Sequence, residues 1–180
     1  LNNGFDPVTG KRAGIETGDP LVFECFEDLY RAFFEQLNFI VDTKIRVSNY
    51  IDRMFAKYAP APFLSVVIED CIKKGRDYYD AGPRYNTNYI QCCGIGTVTD
   101  SLSTLKKHVF EDRTFSMQRL LDAVAKNFEG EEFLRQTILN KTPFFGNDDD
   151  AADDIALRVY ADLLAAIEGK PNVKGETFHL

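Results

Sequence analysis

The stretch Tyr85–Asp112, YNTNYIQCCGIGTVTDSLSTLKKHVFED, holds a short apolar run, two adjacent cysteines, a Gly-Ile-Gly and the start of a helical pattern. Tyr89 to Thr97 is of strand length and flanked by glycine, which favours a buried strand over so short a helix. Leu102, Leu105, Val109 and Phe110 then fall on one side of a helix. Thr99, Asp100 or Ser101 is placed to cap that helix by accepting hydrogen bonds from its free N–H groups. Gly94 and Gly96 suggest a dinucleotide loop, but the third glycine position holds Thr99 and no Gly-Lys-Ser/Thr occurs anywhere. What remains is a strand leading into a helix, with small residues that permit close packing.

Outward from this stretch the pattern is mainly helical. Residues 1–20 carry four Gly and two Pro among polar residues and read as an irregular connection. From Phe23 to about Tyr58 there is neither Gly nor Pro, and Phe26, Leu29, Tyr30, Phe33, Leu37, Ile40 and Val41 repeat at helix spacing, giving one long helix or two in tandem. Pro62 is placed to start a further helix that runs to about Lys74, with Gly75 as its stop. Ser116 caps another helix, a third spans about Glu131 to Asn140, and the last begins in GNDDDAADD and ends before Gly169. The expected organisation is helices over 21–75, a strand then a helix over 85–112, helices over 116–169 and a strand over 176–180. No internal repeat divides it, so all 180 residues belong to one domain or a large piece of one.

The formal charge of −7, without a basic run, argues against nucleic acid and anionic membrane surfaces as partners. No apolar run approaches the roughly 20 residues that span a bilayer, and the first residues lack the layout of a signal peptide. The expectation is a soluble, cytoplasmic protein. With 44% hydrophobic residues, the chain can bury a core without disulfide staples, so Cys25, Cys71, Cys92 and Cys93 are expected as thiols, most of them core filler. The chain starts at Leu1 without Met and ends on the alternating KGETFHL, so a section of something longer is expected.

The candidates for chemistry remain incomplete. Adjacent strand positions point Cys92 and Cys93 to opposite faces, which disfavours a shared metal. His108 and His179 lack a flanking ligand pattern, and no Gly-x-Ser-x-Gly elbow exposes a serine. Asp148, Asp149, Asp150, Asp153 and Asp154 lack the alternation of a calcium loop and fit an acidic first helical turn better. No metal site and no bound cofactor is expected in these residues.

Several motifs, in order, resemble the glycyl radical enzyme family, the relatives of pyruvate formate-lyase. They are LNNG, TGK and TGD within Leu1 to Asp19, PAPFLSVVIEDCI at Pro60 to Ile72, RYNTNYIQ at Arg84 to Gln91, GIGTVTDSLSTLKKHVFED at Gly94 to Asp112, and TPFFGNDDDAADD at Thr142 to Asp154. YNTNYIQ, NKTPFFGNDDD and GKPNVKG look closest to the dehydratase and lyase branch, whose substrates include trans-4-hydroxyproline, diols, choline and sulfonates, with hydroxyproline ranked first.

The resemblance implies an α/β fold, here a mainly helical segment with a few short strands, forming part of a ten-stranded barrel. It implies a Cys in a Gly-Cys-x-Glu loop and a glycine made a radical by an S-adenosylmethionine-dependent iron–sulfur activating enzyme. The resulting thiyl takes hydrogen from a small-molecule substrate, after which a neighbouring C–O, C–N or C–S bond breaks. It also implies a homodimer as the full-length protein. Neither Gly-Cys-x-Glu nor Arg-Val-x-Gly-Tyr occurs in these 180 residues, so no catalytic residue is assigned and the segment is expected to be inactive alone. In related dehydratases the strand at the end of this segment lines the substrate site, and alternation places Phe178 and Leu180 on one face as the substrate-binding candidates. Tyr85, Asn86 and Gln91 are lesser ones. The competing readings are a non-catalytic helical interaction module, a pyruvate formate-lyase-type acyltransferase and an independent domain with its own ligand site.

Overall fold

The computed structural model describes residues Asn2–Leu180. It contains seven α-helices and a two-stranded sheet: α1 (Phe26–Tyr58), α2 (Pro62–Ser65), α3 (Glu69–Lys74), β1 (Asn88–Tyr89), α4 (Ile95–Leu105), α5 (Met117–Ala125), α6 (Glu132–Lys141), α7 (Asp150–Ile167) and β2 (Phe178–His179). Among the described residues this sheet closes no barrel. The chain falls into two units: one runs up to Leu37 and resumes over Cys93–Asp162, and the other comprises Asn38–Cys92 and Leu163–Leu180.

The first unit is a helical packing problem solved with leucine and aromatic side chains. Leu29 and Tyr30 of α1, Leu102 and Leu105 of α4, Leu120 of α5 and Leu134 of α6 are buried in one cluster with Ile155 and Val159 of α7. Each fully buried side chain of this size contributes about 1.5–3 kcal/mol relative to exposure. Polar ties fix the register of α1 on α7: the Tyr30 hydroxyl donates to Asp162 Oδ2 at 2.7 Å, and the Arg158 guanidinium lies 3.6 Å from the Tyr30 ring centroid. Arg158 also makes a two-pronged pair with Glu27 at 2.8 and 2.7 Å. Burial, with the neighbouring Asp162 carboxylate, pushes the Tyr30 phenol far above its ordinary range, so it acts as a donor.

Two expectations fail here. Strand structure stops at Tyr89, and Ile95–Thr97 is already the first turn of α4 rather than the end of a strand. Gly94 makes the difference: at φ +83° it turns the chain in a conformation that side chains rarely adopt, and its carbonyl accepts the first helical bond from Val98 N–H at 3.0 Å. Thr99, Asp100 and Ser101 therefore cap nothing, because they lie inside the helix. Asp100 instead accepts from Phe145 N–H at 2.8 Å, and Ser101 donates back to Thr97 O at 2.7 Å. Gly96 faces Phe145, whose Cδ1 would stand 3.3 Å from an added Cβ. After Leu105 the helix widens into a π-helical turn over Lys106–Glu111, which no sequence periodicity announced. Ser116 does cap α5, accepting from Arg119 N–H at 3.2 Å.

In the second unit, residues 38–58 of α1 and the end of α7 bury Val41, Ile45, Leu163 and Ile167. The expected helix from Pro62 to Lys74 is broken into α2 and α3 by Val66-Val67-Ile68, a β-branched run whose last residue is extended (φ −110°, ψ 112°). Asp77 ties the start of α2 to the loop after α3, accepting from the N-cap Ala61 N–H at 2.9 Å and from the Ser65 hydroxyl at 2.8 Å. Burial would raise the Asp77 pKa, but hydrogen bonds from Tyr79 N–H, Ser65 and Ala61 together outweigh it and hold the carboxylate below its ordinary range. Gly75 ends α3 in the left-handed conformation, as expected.

Thr99 is fully buried, and among the described residues its hydroxyl is the buried side-chain oxygen with no hydrogen-bond partner. Thr99→Val removes that orphan at nearly constant shape, so the variant is expected to be more stable by about 1 kcal/mol. A lower unfolding midpoint for the variant would show that the hydroxyl has a partner.

Candidate functional site

The β1–β2 pair in the second unit is built from backbone groups with little regular structure to support them. The strands run parallel with Asn88 opposite Phe178 and Tyr89 opposite His179. Two rungs join them: Asn88 N–H donates to Thr177 O at 3.1 Å and Ile90 N–H to His179 O at 2.9 Å. On its other edge β2 folds back on the turn after α7, with Phe178 N–H donating to Lys170 O at 2.7 Å and Gly169 N–H to Phe178 O at 3.1 Å. Both backbone groups of Phe178 are thereby used, and its side chain is 1% exposed. Leu180, the other candidate, is half-buried. His179 points elsewhere: its Nδ1 meets Glu168 Oε1, its Nε2 lies 3.0 Å from Thr177 Oγ1, and its ring centroid is 5.8 Å from that of Tyr89. Glu168 also accepts from Leu180 N–H through Oε2, at 3.4 Å.

Of the lesser candidates, Tyr85 is 79% exposed and Gln91 is exposed, whereas Asn86 is buried and donates to Pro83 O at 2.8 Å. The polar residues that organise this region were not among the sequence candidates. Asn172 is buried, and its Nδ2 donates to Asn86 O at 2.6 Å and to Asn88 Oδ1 at 2.9 Å. Its Oδ1 accepts from Lys174 N–H at 2.9 Å and from Glu176 N–H at 3.0 Å. Asn88 Nδ2 continues to Asp52 Oδ2 of α1 at 2.9 Å, and Lys174 Nζ lies 3.5 Å from the same oxygen. Only the Asn-x-Lys of GKPNVKG hinted at this in the sequence, and its partners stand tens of residues away.

Elsewhere the chemical candidates resolve into structure. Only Cys71 of the four cysteines is buried, so the expectation that most are core filler is corrected; Cys92 is half-buried, Cys25 and Cys93 are exposed, and neither Cys92 nor Cys93 lies in a strand. Asp149 Oδ1 accepts from Ala151 N–H at 3.0 Å at the start of α7, the ordinary work of an acidic first turn. His108 and His179 sit in different units. Among the described residues no three His, Cys, Asp or Glu side chains converge as metal ligands. The strand pair therefore encloses Phe178 among backbone hydrogen bonds and leaves Leu180 half-buried beyond it.

This mainly helical chain with two short strands superposes on part of several glycyl radical enzyme structures. The crystal structure of hydroxyproline dehydratase from Clostridioides difficile with trans-4-hydroxy-L-proline bound matches with a TM-score of 0.94 at 46% identity, covering 99% of this chain and 23% of that one. The glycerol-bound, B12-independent glycerol dehydratase of Clostridium butyricum matches with a TM-score of 0.89 at 30% identity, over 98% of this chain and 22% of that one. A glycyl radical enzyme from Archaeoglobus fulgidus matches at 0.86 and 36% identity, over 99% and 22%. In sequence, the trans-4-hydroxy-L-proline dehydratase of Clostridioides difficile is 46% identical over 180 residues, which is all of this chain and 23% of that enzyme. The pyruvate formate lyase-like family model matches residues 1–180, and the chain belongs to that family. It spans less than a quarter of the length of the relatives it matches.

His108 shows what a buried imidazole does here in place of ligation. It is 2% exposed, stacks on Phe115 with centroids 5.3 Å apart, and meets Thr142 Oγ1 at 3.0 Å through Nε2 and Thr114 Oγ1 at 3.4 Å through Nδ1. Burial pushes its pKa below the ordinary 6.5; Lys107 pushes the same way, Asp112 opposes, and Lys141 adds to the fall. The unfolded chain therefore takes up a proton that the folded chain resists. His108's contribution is complete above the ordinary imidazole pKa and shrinks as the pH falls toward the lowered one. The urea midpoint of His108→Gln is expected to fall less than that of the parent between about pH 7.5 and pH 5.5. Equal falls would exclude this contribution.

Proposed function

We propose that this chain is a structural segment of a glycyl radical dehydratase whose substrate is trans-4-hydroxy-L-proline. The observation that carries the reading is similarity over 99% of this chain, at 46% identity and a TM-score of 0.94, to 23% of an enzyme solved with that compound bound, against 30% identity to the glycerol enzyme. In this reading the parent protein is longer, and large apolar side chains of the second unit meet its remaining polypeptide. Phe63 at 87% exposure, Val67 at 71% and Tyr58 at 64% support that, because covering such exposed apolar side chains is favourable.

The reaction takes a hydrogen atom from the substrate, breaks the adjacent C–O bond as the hydroxyl leaves as water with a proton given up by the substrate, and returns the hydrogen atom to the product radical. A glycyl radical, installed by an S-adenosylmethionine-dependent iron–sulfur activating enzyme, would supply that hydrogen abstraction through a cysteine thiyl, both from outside these residues. This chain's own part is enclosure. Leu180, half-buried just after β2, lines the substrate pocket with Phe178 packed beneath it, and the helices around them keep water and oxygen from the reacting atoms. The intact protein acts as a homodimer in the cytoplasm of an anaerobe.

The test is the intact protein, activated without oxygen. Electron paramagnetic resonance should show a carbon-centred radical split by one proton, and the activated enzyme should dehydrate trans-4-hydroxy-L-proline in preference to glycerol, choline or isethionate. A radical without hydroxyproline turnover would overturn the substrate assignment, and no radical at all would favour a non-catalytic module. Leu180→Ala, which removes the half-buried apolar side chain after β2, should raise KM for hydroxyproline about fivefold, corresponding to about 1 kcal/mol of lost apolar contact, with radical content unchanged.

A further inference from the structure

We propose that the cleft between α1 and α4 is a binding site for a small uncharged molecule with a body of one or two apolar rings and a single hydrogen-bonding group. The cleft lies wholly in the first unit and holds about 260 Å³. Each helix gives it one face at i, i+3, i+4, i+7 spacing: Leu29, Ala32, Phe33 and Gln36 from α1, and Val98, Ser101, Leu102 and Leu105 from α4. The second position of each face is small, so Ala32 and Ser101 leave between the helices a gap that the larger side chains around them do not close. Pro20 and Phe23 floor it from the N-terminal connection, which makes most of the lining apolar.

The strap along the rim of the cleft is preorganised. Asn3 Oδ1 accepts from Thr17 N–H at 2.7 Å and Gly18 N–H at 3.1 Å, and Gly4 O accepts from Ala13 and Gly14 N–H, each at 2.8 Å. Gln36 ties the strap to α1, its Nε2 donating to Ile15 O at 2.6 Å and to Thr17 Oγ1 at 3.0 Å. Donors remain at the rim once these bonds are made. Among the described residues the Asn3 NH2 and the Thr97 hydroxyl have no partner, and Thr17, which accepts through its oxygen, keeps its hydrogen. No charged side chain lines the cleft. An ammonium or carboxylate taken into it would lose water with nothing of opposite sign to replace it, which excludes zwitterions such as trans-4-hydroxy-L-proline and anions such as sulfonates. A neutral ligand gains from burying its rings against the floor, and one acceptor atom on it gains from the rim donors. An apolar cavity of about 150 Å³ takes up benzene, so this larger one suits a molecule of up to two fused rings.

The experiment uses the intact protein, without activation, and two probes of similar size, 1-naphthol and 1-naphthoate. Calorimetry should give 1-naphthol a Kd of about 100 μM or tighter, and 1-naphthoate should bind about tenfold more weakly or worse. Bound 1-naphthol should slow hydrogen exchange in peptides covering residues 15–23 and 97–105, which places it in this cleft. Ala32→Leu fills the gap and should weaken 1-naphthol by about tenfold, with the melting temperature unchanged or raised. Ser101→Leu narrows the mouth and loses only its own back-bond to Thr97 O; it should weaken binding too, and it decides the matter if Ala32→Leu fails to fold. Equal binding of the two probes, or protection confined to other peptides, would overturn the proposal. Absence of 1-naphthol binding would overturn it as well, and a lower melting temperature for Ala32→Leu would then show that the parent protein fills the cleft with its own side chains. Because the readout is binding to unactivated protein, the outcome is the same whether or not hydroxyproline is the substrate.

Discussion

A parallel ladder of two rungs cannot hold itself together in water, and the second unit is organised around this fact. Each backbone hydrogen bond contributes about 1 kcal/mol net, whereas fixing one residue's backbone costs about 1–2 kcal/mol. Ordering the four residues of β1 and β2 therefore costs more than their ladder returns. The deficit is met outside the ladder, by burial of Phe178 and by the carboxamide of Asn172, which adds contacts to both strands' approaches. Asparagine suits this work because it donates and accepts from one planar, short side chain.

The first unit meets a different difficulty, that of keeping α1 and α7 in register when both are long and largely interchangeable by turns. Leucine packing alone tolerates slippage by a helical turn; the Tyr30–Asp162 hydrogen bond and the Arg158–Glu27 pair do not. The ion pair is open to solvent, so its own energy is small, on the order of 0–1 kcal/mol. Arg158 matters through geometry, since its guanidinium covers the Tyr30 ring while its two prongs fix Glu27. Desolvating that ring brings a cation–π contribution of about 0.5–2 kcal/mol that a lysine would supply less well.

The helices were legible in the sequence because apolar spacing and capping residues are local: α1, the Ser116 cap and the Gly75 stop could each be read within a few residues. The strand expected from Tyr89 to Thr97 failed because a short apolar run does not distinguish strand from helix, and the deciding feature, the left-handed Gly94, is a backbone property. The break at Val66–Ile68 was local but subtle, a β-branched run inside an otherwise helical pattern. The ring of contacts that joins Asn172, Asn88, Asp52 and Lys174 was illegible for another reason. Its partners Asn88 and Asp52 lie 84 and, from Asn88, 36 positions away, and nothing in the spacing of polar residues announces a contact made by tertiary folding. Phe178 and Leu180 came from family resemblance, since an alternating terminal strand says which side chains share a face and not what they face.

The ring's direction is fixed by its one ion pair, and this explains why two amides can act as a rigid part. An isolated carboxamide rotates through two nearly equal states. Here Asp52 can only accept and Lys174 can only donate from its ammonium, so Asn88 must turn its NH2 toward Asp52 and its oxygen toward Asn172. Asn172 must then donate to Asn88, which leaves its oxygen for the backbone N–H groups of Lys174 and Glu176. Reversing Asn88 sets oxygen against oxygen at one end and NH2 against NH2 at the other and loses two hydrogen bonds, and reversing Asn172 loses four, inside a network where each unsatisfied buried group costs about 1–3 kcal/mol. A charge on α1 thus dictates the conformation of a turn that precedes Phe178, and it does so through neutral groups, without burying an unpaired charge next to that buried side chain.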